Sequence, residues 1–599
     1  MQITVENLLK DNNLSLPKIL PHASHKTIYY LFNKLIKSKE INQFIEDNSD
    51  KFGIDFIEEL FDYLNFSYFL SSLDKLKIPS EGKLVVVSNH PLGALDGLAL
   101  LKAISEVRKD VCIIANDLLL YIDNLKDLFL PYNVFSLKAQ KNNINQIEQA
   151  LKDNKVVIFF PSATVSRFSI NGIKDEKWHK GALKFAQKLN APILPVFIEA
   201  RNSSLFYLTS IINKSFSKFL LPRELFKKSN CSIKIKIGNL IPNKSLNSIS
   251  STNELNRLLR KHTYKLQANK EIFKTEKTVI HPIENKIILR ELEDSQFLGS
   301  TNDGKTIYCT TYETGKNVIK EIARLREITF RKVGEGTGKK YDYDKFDKIY
   351  KHIVLWDNNE NEIVGSYRLG ICSEIIDKVG INGLYNSEEF IFNDSFKDKL
   401  PKSVELGRSF IQEKYWNTSA LDNLWQGIGI YLQSIGNITH LFGAVSISDR
   451  ISPLGKAMIV YVYNKWFGEM THSYISPKNP YSIEPNLIKD LENKFNSDKY
   501  DIDFKNLKTS ISKLGFSIPV MFRRYSSICE ADGVKILGFN IDKNFSNCLD
   551  GFIMIEIDKL KYAYKLRYNF ITNALSEEVS INEVGKLLKS KENEKIKIS

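Results

Sequence analysis

Cysteine is scarce in this sequence of 599 residues, and its six copies are scattered without a C-x-x-C pair and without a histidine at ligand spacing. We therefore expect neither a disulfide framework nor a structural zinc site, and a reducing cytoplasm fits best. The first residues lack a basic stretch followed by an apolar core, so a secretory signal is not expected. Apolar runs long enough to cross a bilayer are also missing, because Asp, Lys or Asn interrupts the longest ones. Any work at a membrane would thus be done from its surface.

The composition is that of a globular chain with several domains. Hydrophobic residues make up 43% and charged residues 26% of the sequence, which is too long for one hydrophobic core. The 84 Lys and Arg residues against 70 Asp and Glu residues give a net charge of +14. This excess favours an anionic partner, such as nucleic acid, an anionic membrane surface or an acidic protein, although lysine-rich chains are often simply soluble.

The first stretch that carries chemistry is Asn89–Gly97. The β-branched run at 83–88 predicts a strand, and the spacing of apolar residues at 98–107 predicts a helix. His90 and Asp96 are therefore predicted to lie in a loop between a strand and a helix, where rigid flanking elements can hold reactive side chains.

His90 and Asp96 form a pair that could act in proton transfer. Neutral His90 can take a proton from a hydroxyl, while the Asp96 carboxylate can hold the ring in one tautomer and stabilise the imidazolium that forms. Gly93 and Gly97 would let the loop turn tightly and let a substrate approach the backbone. A structural hydrogen-bonded pair is the alternative interpretation.

Strand and helix patterns alternate after this loop. Apolar runs at 111–115, 156–160 and 193–198 predict strands, and the segments at 144–153 and 180–189 predict helices. Such alternation indicates an α/β layer architecture.

Two of these strands end in residues that could bind a substrate. The first end carries Pro161, Ser162, Thr164 and Arg167, and the second carries Arg201, Asn202 and Ser203. An arginine at a strand end can bind a phosphate or carboxylate with two hydrogen bonds, and an internal salt bridge is its usual alternative.

Together these blocks resemble the glycerolipid and lysophospholipid acyltransferase family, in particular a branch with Asn-His-Pro-x-Gly-x-x-Asp-Gly, which is matched at 89–97. The block Gly172–Asp175 with Trp178 continues the match. The resemblance implies that His90 and Asp96 are catalytic. It also implies a set of substrate-binding residues, namely Asn89, Gly93, Pro161, Ser162, Thr164 and Arg167. The acidic residue and glycine usual after Phe-Pro are replaced here, which disfavours conventional glycerol-phosphate recognition.

The second half of the chain predicts another α/β arrangement. A strand at 306–311 leads into a helix at 318–330, and the runs at 353–357 and 362–369 are predicted to pair as a hairpin. A further strand at 403–410 carries Glu405 and Arg408. Alternation places Glu405 and Arg408 on opposite faces unless a bulge at Gly407 re-aims the arginine.

This order resembles the acyl-homoserine-lactone synthase-like branch of the GNAT N-acyltransferase superfamily, especially proteins described as haemolysin-like or as ornithine lipid N-acyltransferases. The matching residues are Arg326, Phe330, Asp344, Asp347, Arg368, Glu405 and Arg408. The resemblance implies transfer of an acyl chain from acyl carrier protein to an amine. A predicted loop at Gln426–Gly429 carries two glycines where the superfamily cradles pyrophosphate, but no basic or amide residue lies three positions before the first glycine. That lack matters less for a carrier-protein donor, whose pantetheine has a single phosphate.

Both halves, in this order, resemble bifunctional ornithine-lipid-type synthases of bacteria. The resemblance implies that the C-terminal domain N-acylates an amino acid with a 3-hydroxyacyl chain and that the N-terminal domain then O-acylates the 3-hydroxyl. The implied catalytic residues are Glu405, as a base acting directly or through water, and Arg408, and the implied substrate-binding residues are Arg326, Asp344, Asp347 and Arg368. Either Arg368 or Arg408 is expected to bind the carboxylate of the amino acid. A structural ion pair is the alternative for Glu405 and Arg408. Neither step requires a metal, and no bound cofactor is expected.

We thus predict an α/β fold with a helical segment at 1–75, a lysophospholipid acyltransferase-like domain with linker at 76–285 and a GNAT-like domain at 286–599. The expected partners are acyl carrier protein, the amino acid, the lyso-lipid and the cytoplasmic face of an inner membrane, but no nucleic acid. Basic and aromatic residues at 211–228 suit an anionic lipid surface, and a core-packed segment is the alternative.

Two other functions stay open. The first is an ordinary lysophospholipid acyltransferase with a degenerate C-terminal domain. The second is a non-catalytic basic protein that binds a membrane or nucleic acid through its charge. The acylated amino acid cannot be read from the sequence, since ornithine, glycine, lysine and glutamine all fit.

Overall fold

The structure is a computed structural model of the chain. It describes residues 4, 29–30, 33–115, 122–131, 137–169, 172–212, 214, 217, 220–469, 474–543, 545 and 547–571. The chain divides into two compact units, Met1–His281 and Pro282–Ser599.

The first unit is built on a sheet of seven strands with a separate short hairpin. Its strands are β1 (Ser67–Leu70), β2 (Leu84–Ser88), β3 (Val111–Ala115), β4 (Phe129–Pro131), β5 (Val156–Phe159), β6 (Arg167–Ser169), β7 (Gly172–Lys174), β8 (Ile193–Glu199) and β9 (Ser232–Ile237). The sheet order is β1-β9-β8-β2-β5-β3-β4, and all neighbours are parallel except β8 and β9. Strands β6 and β7 pair as the hairpin.

Helices cover both faces of this sheet. They are α1 (Ser38–Asp47), α2 (Gly53–Leu64), α3 (Ser72–Lys75), α4 (Ala94–Ser105), α5 (Leu137–Lys152), α6 (Gly181–Lys188), α7 (Ser204–Ile212), α8 (Leu221–Phe226), α9 (Asn243–Asn247) and α10 (Thr252–Lys265), with 3-10 turns at Asp123–Leu128 and Leu266–Ala268. Every residue of β2 is buried. Leu84 and Val86 pack into one apolar cluster and Val85 and Val87 into another, which explains why this strand is apolar without alternation.

The second unit contains a sheet of eight strands and a two-stranded one. Its strands are β10 (Gln296–Ser300), β11 (Lys305–Thr310), β12 (Lys351–Asp357), β13 (Glu362–Ile371), β14 (Phe390–Phe392), β15 (Ser403–Ile411), β16 (His440–Ile447), β17 (Ile475–Pro477), β18 (Val534–Asp542) and β19 (Cys548–Glu556). The large sheet has the order β10-β11-β12-β13-β15-β16-β19-β18. Only β15 and β16 are parallel neighbours, and β14 pairs with β17.

The helices of the second unit pack on both faces of its large sheet. They are α11 (Asn285–Glu293), α12 (Lys316–Val333), α13 (Cys372–Val379), α14 (Asp394–Lys397), α15 (Ala420–Ile435), α16 (Pro453–Phe467), α17 (Pro485–Lys494), α18 (Tyr500–Lys513), α19 (Val520–Ile528) and α20 (Tyr562–Arg567). Within the described part of this unit, 3-10 turns lie at Lys345–Lys348, Ile381–Gly383, Tyr385–Glu388, Leu400–Lys402, Glu413–Tyr415 and Ile557–Lys559. Helices α15, α16 and α19 share one core with the sheet, and α11 and α12 pack in a smaller cluster with β12 and β13.

The predicted α/β class is confirmed for both units. The strands and helices expected between residues 111 and 198 correspond to β3, α5, β5, α6 and β8, and the expected hairpin is formed by β12 and β13. One prediction is wrong, since Ser67–Leu70 lies in a segment expected to be helical but forms the edge strand β1. Its pairing with β9 is a contact between distant segments that local periodicity does not encode. The part of the helical prediction that falls before residue 29 and on 31–32 lies outside the described residues.

None of the helices that the structure describes is both long enough and apolar enough to cross a membrane.

Candidate active sites

The topology of the first unit brings three of the sequence blocks to one edge of its sheet. Strands β8, β2 and β5 are parallel neighbours, so their carboxyl ends open onto the same edge. His90 follows β2, Pro161 follows β5 and Asn202 follows β8. The Asn202 amide donates a 3.1 Å hydrogen bond to the carbonyl of Pro91, which joins two of the blocks directly.

His90 and Asp96 contact each other at this edge. Nδ1 of His90 lies 3.1 Å from Oδ1 of Asp96, and the other carboxylate oxygen accepts a 2.7 Å hydrogen bond from the backbone N–H of Leu92. The His90 ring stacks on Phe160 with a centroid distance of 4.2 Å. Asp96 lies in the first turn of α4 and not in the loop, which corrects the prediction for this residue. That position favours a carboxylate, because the N-terminal end of a helix carries partial positive charge.

The pair is arranged for proton transfer at the second ring nitrogen. Asp96 is fully buried, whereas 20% of the His90 side chain is exposed. Burial lowers the pKa of His90, but the charge of Asp96 and its hydrogen bond outweigh burial, so the pKa is raised overall. With Nδ1 facing Asp96, Nε2 is the nitrogen that can accept a proton.

Asn89 and Gly93 fix the shape of the loop. The Asn89 amide donates to the carbonyl of Ile198 at 2.9 Å and accepts from its N–H at 2.7 Å, which ties the end of β2 to β8. Gly93 has a φ of +100°, and a Cβ there would lie 3.4 Å from Cγ1 of Val165. Both predicted substrate-binding residues thus hold the loop that carries His90.

Asp175 is a further residue of this site that was not among the predicted site residues. Its buried carboxylate accepts hydrogen bonds from the His90 N–H at 3.2 Å, the Ser166 hydroxyl at 2.5 Å and the Trp178 indole at 2.8 Å. Burial raises its pKa although these bonds oppose the shift. The match of Gly172–Asp175 with Trp178 was the sequence signal that pointed to it.

The remaining predicted residues of this unit are used inside the fold. The hydroxyl of Ser162 donates to the carbonyl of Thr164 at 2.6 Å, and the carbonyl of Pro161 accepts from the N–H of His179 at 2.8 Å. Arg167 is buried, and its guanidinium donates to the Ser217 hydroxyl at 2.9 Å. These contacts close a tight turn and anchor the β6–β7 hairpin.

In the second unit, Arg326 and Asp347 form a buried bidentate ion pair. Both guanidinium Nη atoms of Arg326 lie 2.9 Å from the Asp347 carboxylate, and its Nε lies 3.2 Å from Asp342. Burial raises the pKa of Asp347, but Arg326 and Arg368 outweigh it and hold that pKa well below its usual range. Neither partner of this pair is exposed to a substrate.

Arg368 is also enclosed. Its Nη1 donates to Asp344 at 2.7 Å and to Asp347 at 3.3 Å, and its side chain is 1% exposed. Asp344 caps the turn Lys345–Lys348 by accepting from the backbone N–H groups of Phe346 and Asp347. The sequence predicts either Arg368 or Arg408 as the ligand of the substrate carboxylate. The burial of Arg368 argues against Arg368 in this role.

Arg408 is the accessible arginine of the predicted set. A bulge between β13 and β15 falls at this residue, whose φ is +50°. The guanidinium lies between the rings of Tyr385 and Phe545, at 4.9 and 4.7 Å, while Asp342 and Asp344 lie 3.7 and 3.9 Å from its Nε. The predicted bulge is thus present one residue after Gly407, and 12% of the side chain is exposed.

Glu405 holds the segment beneath Arg408. It accepts hydrogen bonds from the Tyr350 hydroxyl, from the Tyr385 N–H at 3.0 Å, and from the N–H and side-chain amide of Asn386 at 2.6 and 2.5 Å. Burial raises its pKa against the effect of these four donors. Both carboxylate oxygens are therefore engaged by the chain itself.

The strands β15 and β16 separate beyond the level of Glu405. Their parallel pairing covers only Ser403–Glu405 against His440–Phe442. Leu406 and Gly443 still approach closely, since a Cβ at Gly443 would lie 2.1 Å from the Leu406 carbonyl oxygen. An opening between two strands exposes backbone groups that a sheet ladder would otherwise use.

The predicted pyrophosphate loop is wrong. Gln426–Gly429 lies in the middle of helix α15. A Cβ at Gly427 would meet Cγ2 of Ile307 at 2.5 Å, and one at Gly429 would meet the carbonyl oxygen of Tyr568 at 1.6 Å. These glycines permit close packing of α15. The sequence pattern alone did not distinguish this packing role from that of a loop.

Among the residues that the structure describes, no group of three or more His, Cys, Asp or Glu side chains is arranged to hold a metal ion.

Two family models match the chain. A model described as Acyltransferase matches residues 8–272, and one described as Acetyltransferase (GNAT) domain matches residues 325–426. The glycine N(alpha)-acyltransferase of Phocaeicola vulgatus is 36% identical over 303 residues, which cover 48% of this chain and 92% of that protein. The chain belongs to the acyltransferase family of this relative.

Further relatives of this acyltransferase carry two kinds of name. The lyso-glycine lipid O-acyltransferase of Phocaeicola vulgatus is 28% identical over 271 residues, which cover 44% of this chain and 95% of that protein. The L-ornithine N(alpha)-acyltransferase of Rhizobium meliloti is 30% identical over 128 residues, or 20% of this chain and 42% of that protein. The predicted combination of an acyltransferase domain with a C-terminal GNAT domain is confirmed, and the non-catalytic interpretation is set aside.

Proposed function

We propose that this acyltransferase builds an amino-acid lipid in two steps, with glycine as the first acceptor. The unit Pro282–Ser599 transfers a 3-hydroxyacyl chain to the α-amine, and the unit Met1–His281 then esterifies the new 3-hydroxyl. The observation that carries the proposal is that one chain contains both the His90–Asp96 pair and the accessible Arg408, and its relatives are named for both reactions. Glycine is preferred to ornithine because the chain covers 92% of the glycine-named relative and 42% of the ornithine-named one.

In the first step Arg408 binds the carboxylate of the amino acid. A guanidinium is planar and can donate two parallel hydrogen bonds to a carboxylate, and the aromatic rings beside Arg408 hold it in place. The amine attacks the thioester carbonyl in the opening between β15 and β16, where a freed backbone N–H stabilises the oxyanion. Glu405 acts as a positioning residue, because its hydrogen bonds fix Tyr385 under the guanidinium.

In the second step His90 removes the proton from the 3-hydroxyl of the lyso-lipid. The hydroxyl oxygen attacks a second acyl thioester, its proton passes to Nε2, and the departing thiolate receives it. Asp96 stabilises the imidazolium that forms between these events. Asp175 and Asn89 keep the loop in place.

Acyl carrier protein is the donor that we propose for the acyl chains. Its pantetheine arm carries a single phosphate, and its acidic surface would complement a chain with a net charge of +14. Gly427 and Gly429 lie inside helix α15 and not in a loop that could cradle a pyrophosphate.

We also propose that the first unit works on the surface of a membrane, on its cytoplasmic face. Helix α7 exposes Leu205, Leu208, Ile211 and Ile212, the last with 86% of its surface in solvent. This face follows the Asn202 block directly along the chain, so it would place lipid beside the His90 edge. Several residues of the basic and aromatic stretch at 211–228 lie outside the described residues.

The finer division at residues 75 and 285 also remains a proposal. It assigns 76–285 to the O-acylation step and 286–599 to the N-acylation step. Each assignment can be tested with a single variant in the full chain.

The experiment is mass spectrometry of lipids from a bacterial host that expresses the full chain or a variant. His90→Ala should accumulate mono-acylated amino acid and form no di-acylated product. His179→Ala is the matched control, since His179 is exposed, and it should retain both products. Di-acylated product from His90→Ala would overturn the O-acylation assignment. More phosphatidic acid without any amino-acid lipid would instead support the lysophospholipid acyltransferase.

A further inference from the structure

A polar row crosses three strands of the second unit's large sheet. Asp550 on β19 lies opposite Ser446 on β16 and opposite Asn540 on β18. The strand pleat places Asp550 on the same face as Phe552, which stacks on Phe442 at 5.5 Å. Apolar side chains occupy the neighbouring positions of this face, so a carboxylate at this position is unusual.

Asp550 is buried and incompletely bonded. Its residue surface is 3% exposed, and its Oδ1 has no hydrogen-bond partner among the residues that the structure describes. The Asn540 amide, by contrast, uses both of its polar atoms, since its oxygen accepts from the Asn479 N–H and its nitrogen donates to Glu389. A buried carboxylate oxygen without a donor is costly unless a ligand supplies one.

The charges around Asp550 come from several elements. The charges of Asp542 and Glu389 raise its pKa, whereas the charge of Arg408 and the Ser446 hydroxyl lower it. The charge of Asp550 in turn contributes to raising the pKa values of Glu335, Cys548 and Tyr385. Burial is the largest effect and raises the pKa of Asp550 to about 7.

We propose that Asp550 is the base that takes a proton from the ammonium group of the amino-acid acceptor. The inference deepens the proposed function, on which it rests, by naming the residue that activates the amine. With its carboxylate bound to Arg408, the acceptor would turn its ammonium group toward Asp550. Both charges of the zwitterion would then be paired with opposite charges of the protein. Tyr385 lies near both groups. Its ring contacts the Arg408 guanidinium, and the charge of Asp550 contributes to raising the pKa of its hydroxyl.

The proton balance of the step is complete. The ammonium gives one proton to the Asp550 carboxylate, and the free amine attacks the thioester carbonyl to form the C–N bond. The tetrahedral intermediate collapses with cleavage of the C–S bond, and the second nitrogen proton passes to the departing thiolate. Asp550 then releases its proton to water, so each cycle yields an amide, a thiol and one proton.

Asp550 suits this role better than the other carboxylates nearby. Glu405 has four donors from the chain, whereas Asp550 keeps one oxygen free. Asp542 accepts a 3.0 Å hydrogen bond from the Phe545 N–H and so caps a turn. A base with a pKa near 7 is half deprotonated at neutral pH and still basic enough to accept a proton.

The test is the pH dependence of N-acylation by the full chain, with glycine and a 3-hydroxyacyl thioester as substrates. The wild-type rate should rise through an inflection near pH 7 and then level off. Asp550→Asn should lower kcat by about 100-fold or more at pH 7 and should lose this inflection, so that its residual rate follows the titration of the acceptor amine. Asp398→Asn, at an exposed site of the same unit, should match the wild type.

Glu389→Gln provides a second readout that keeps Asp550 itself. Because the Glu389 charge raises the pKa of Asp550, removing it should move the inflection to lower pH with little change in the plateau. A wild-type rate and profile in Asp550→Asn would overturn the inference while leaving the proposed function intact. If Asp550→Asn does not fold, an unmoved inflection in Glu389→Gln would overturn it instead. Absence of any N-acylated glycine from the wild type would count against the proposed function.

Discussion

The Glu405 carboxylate accepts hydrogen bonds from both the backbone N–H and the side-chain amide of Asn386, at 2.6 and 2.5 Å. One acidic side chain thereby holds the turn Tyr385–Glu388 against the sheet. The same turn carries the ring that lies under Arg408, so the geometry of the proposed carboxylate site depends on a residue that is itself enclosed.

Glu405→Gln should loosen this turn. A glutamine amide would turn an N–H group toward donors that now face a carboxylate, and we expect a loss of about 1–3 kcal/mol in the free energy of unfolding. The KM for the amino acid should rise more than kcat falls, because Tyr385 would no longer be fixed. Urea unfolding and steady-state kinetics measure both effects. Glu360→Gln, at an exposed site, is the control, and an equal effect there would refute the explanation.

Asp96→Asn should change the pH profile of O-acylation. The Asp96 charge counteracts burial and raises the pKa of His90, so its removal should move the rising limb of the profile to lower pH. The plateau should fall by about 100-fold or more because the imidazolium loses its stabilising carboxylate. Supplying lyso-lipid lets this step be measured without the first one. An unshifted profile would show that Asp96 does not act through His90, and Asp127→Asn is the exposed control.

Asp347→Asn should destabilise the second unit by about 3–5 kcal/mol at pH 7, since it removes the charge of the carboxylate that pairs with both Nη atoms of the buried Arg326. The pKa of Asp347 is lowered in the folded state, so its contribution is present above the unfolded value and is lost as the pH falls below about 4. The wild type should therefore lose about 1 kcal/mol more stability than the variant between pH 5 and 3. Urea titrations at several pH values test this, with Asp398→Asn at an exposed site of the same unit as an unchanged control. Parallel pH curves for both proteins would contradict it.

Gly427→Ala should cost about 1–3 kcal/mol, because the added methyl group meets Ile307 inside a packed helix–sheet contact. Thermal unfolding monitored by circular dichroism is sufficient. Gly181→Ala begins helix α6 with open space around its Cβ, and it should be neutral or slightly stabilising. If Gly427 instead served a phosphate group, activity would fall without any change in stability.

Leu208→Asp combined with Ile212→Asp should weaken binding to vesicles that contain anionic lipid by about tenfold or more, because two apolar side chains could no longer enter the interface. Flotation of the full chain with vesicles measures this. Leu73→Asp lies on helix α3 at a similarly exposed site, 74% in solvent, and should leave binding unchanged. Equal loss in both variants would remove helix α7 from the proposed membrane surface.

Local patterns predicted the part of the site that depends on strand ends. The apolar runs before His90 and Pro161 end where β2 and β5 end, and parallel neighbours necessarily open at the same edge. The partners of Glu405 could not be read in this way, because they lie in a short 3-10 turn without periodicity. Asp550 was missed for a related reason, since its neighbours come from strands far away in sequence.

Arg408 adopts a left-handed backbone conformation, with a φ of +50°. For a residue with a Cβ this conformation costs about 1–2 kcal/mol, which glycine at the same position would avoid. The chain thus retains a guanidinium at a bulge position where backbone energetics favour the absence of a side chain. Arg408→Gly should accordingly unfold at a higher temperature than Arg408→Ala, although neither variant can bind a carboxylate. The difference between the two unfolding temperatures reports the backbone energy that the chain spends to place Arg408 at this bulge.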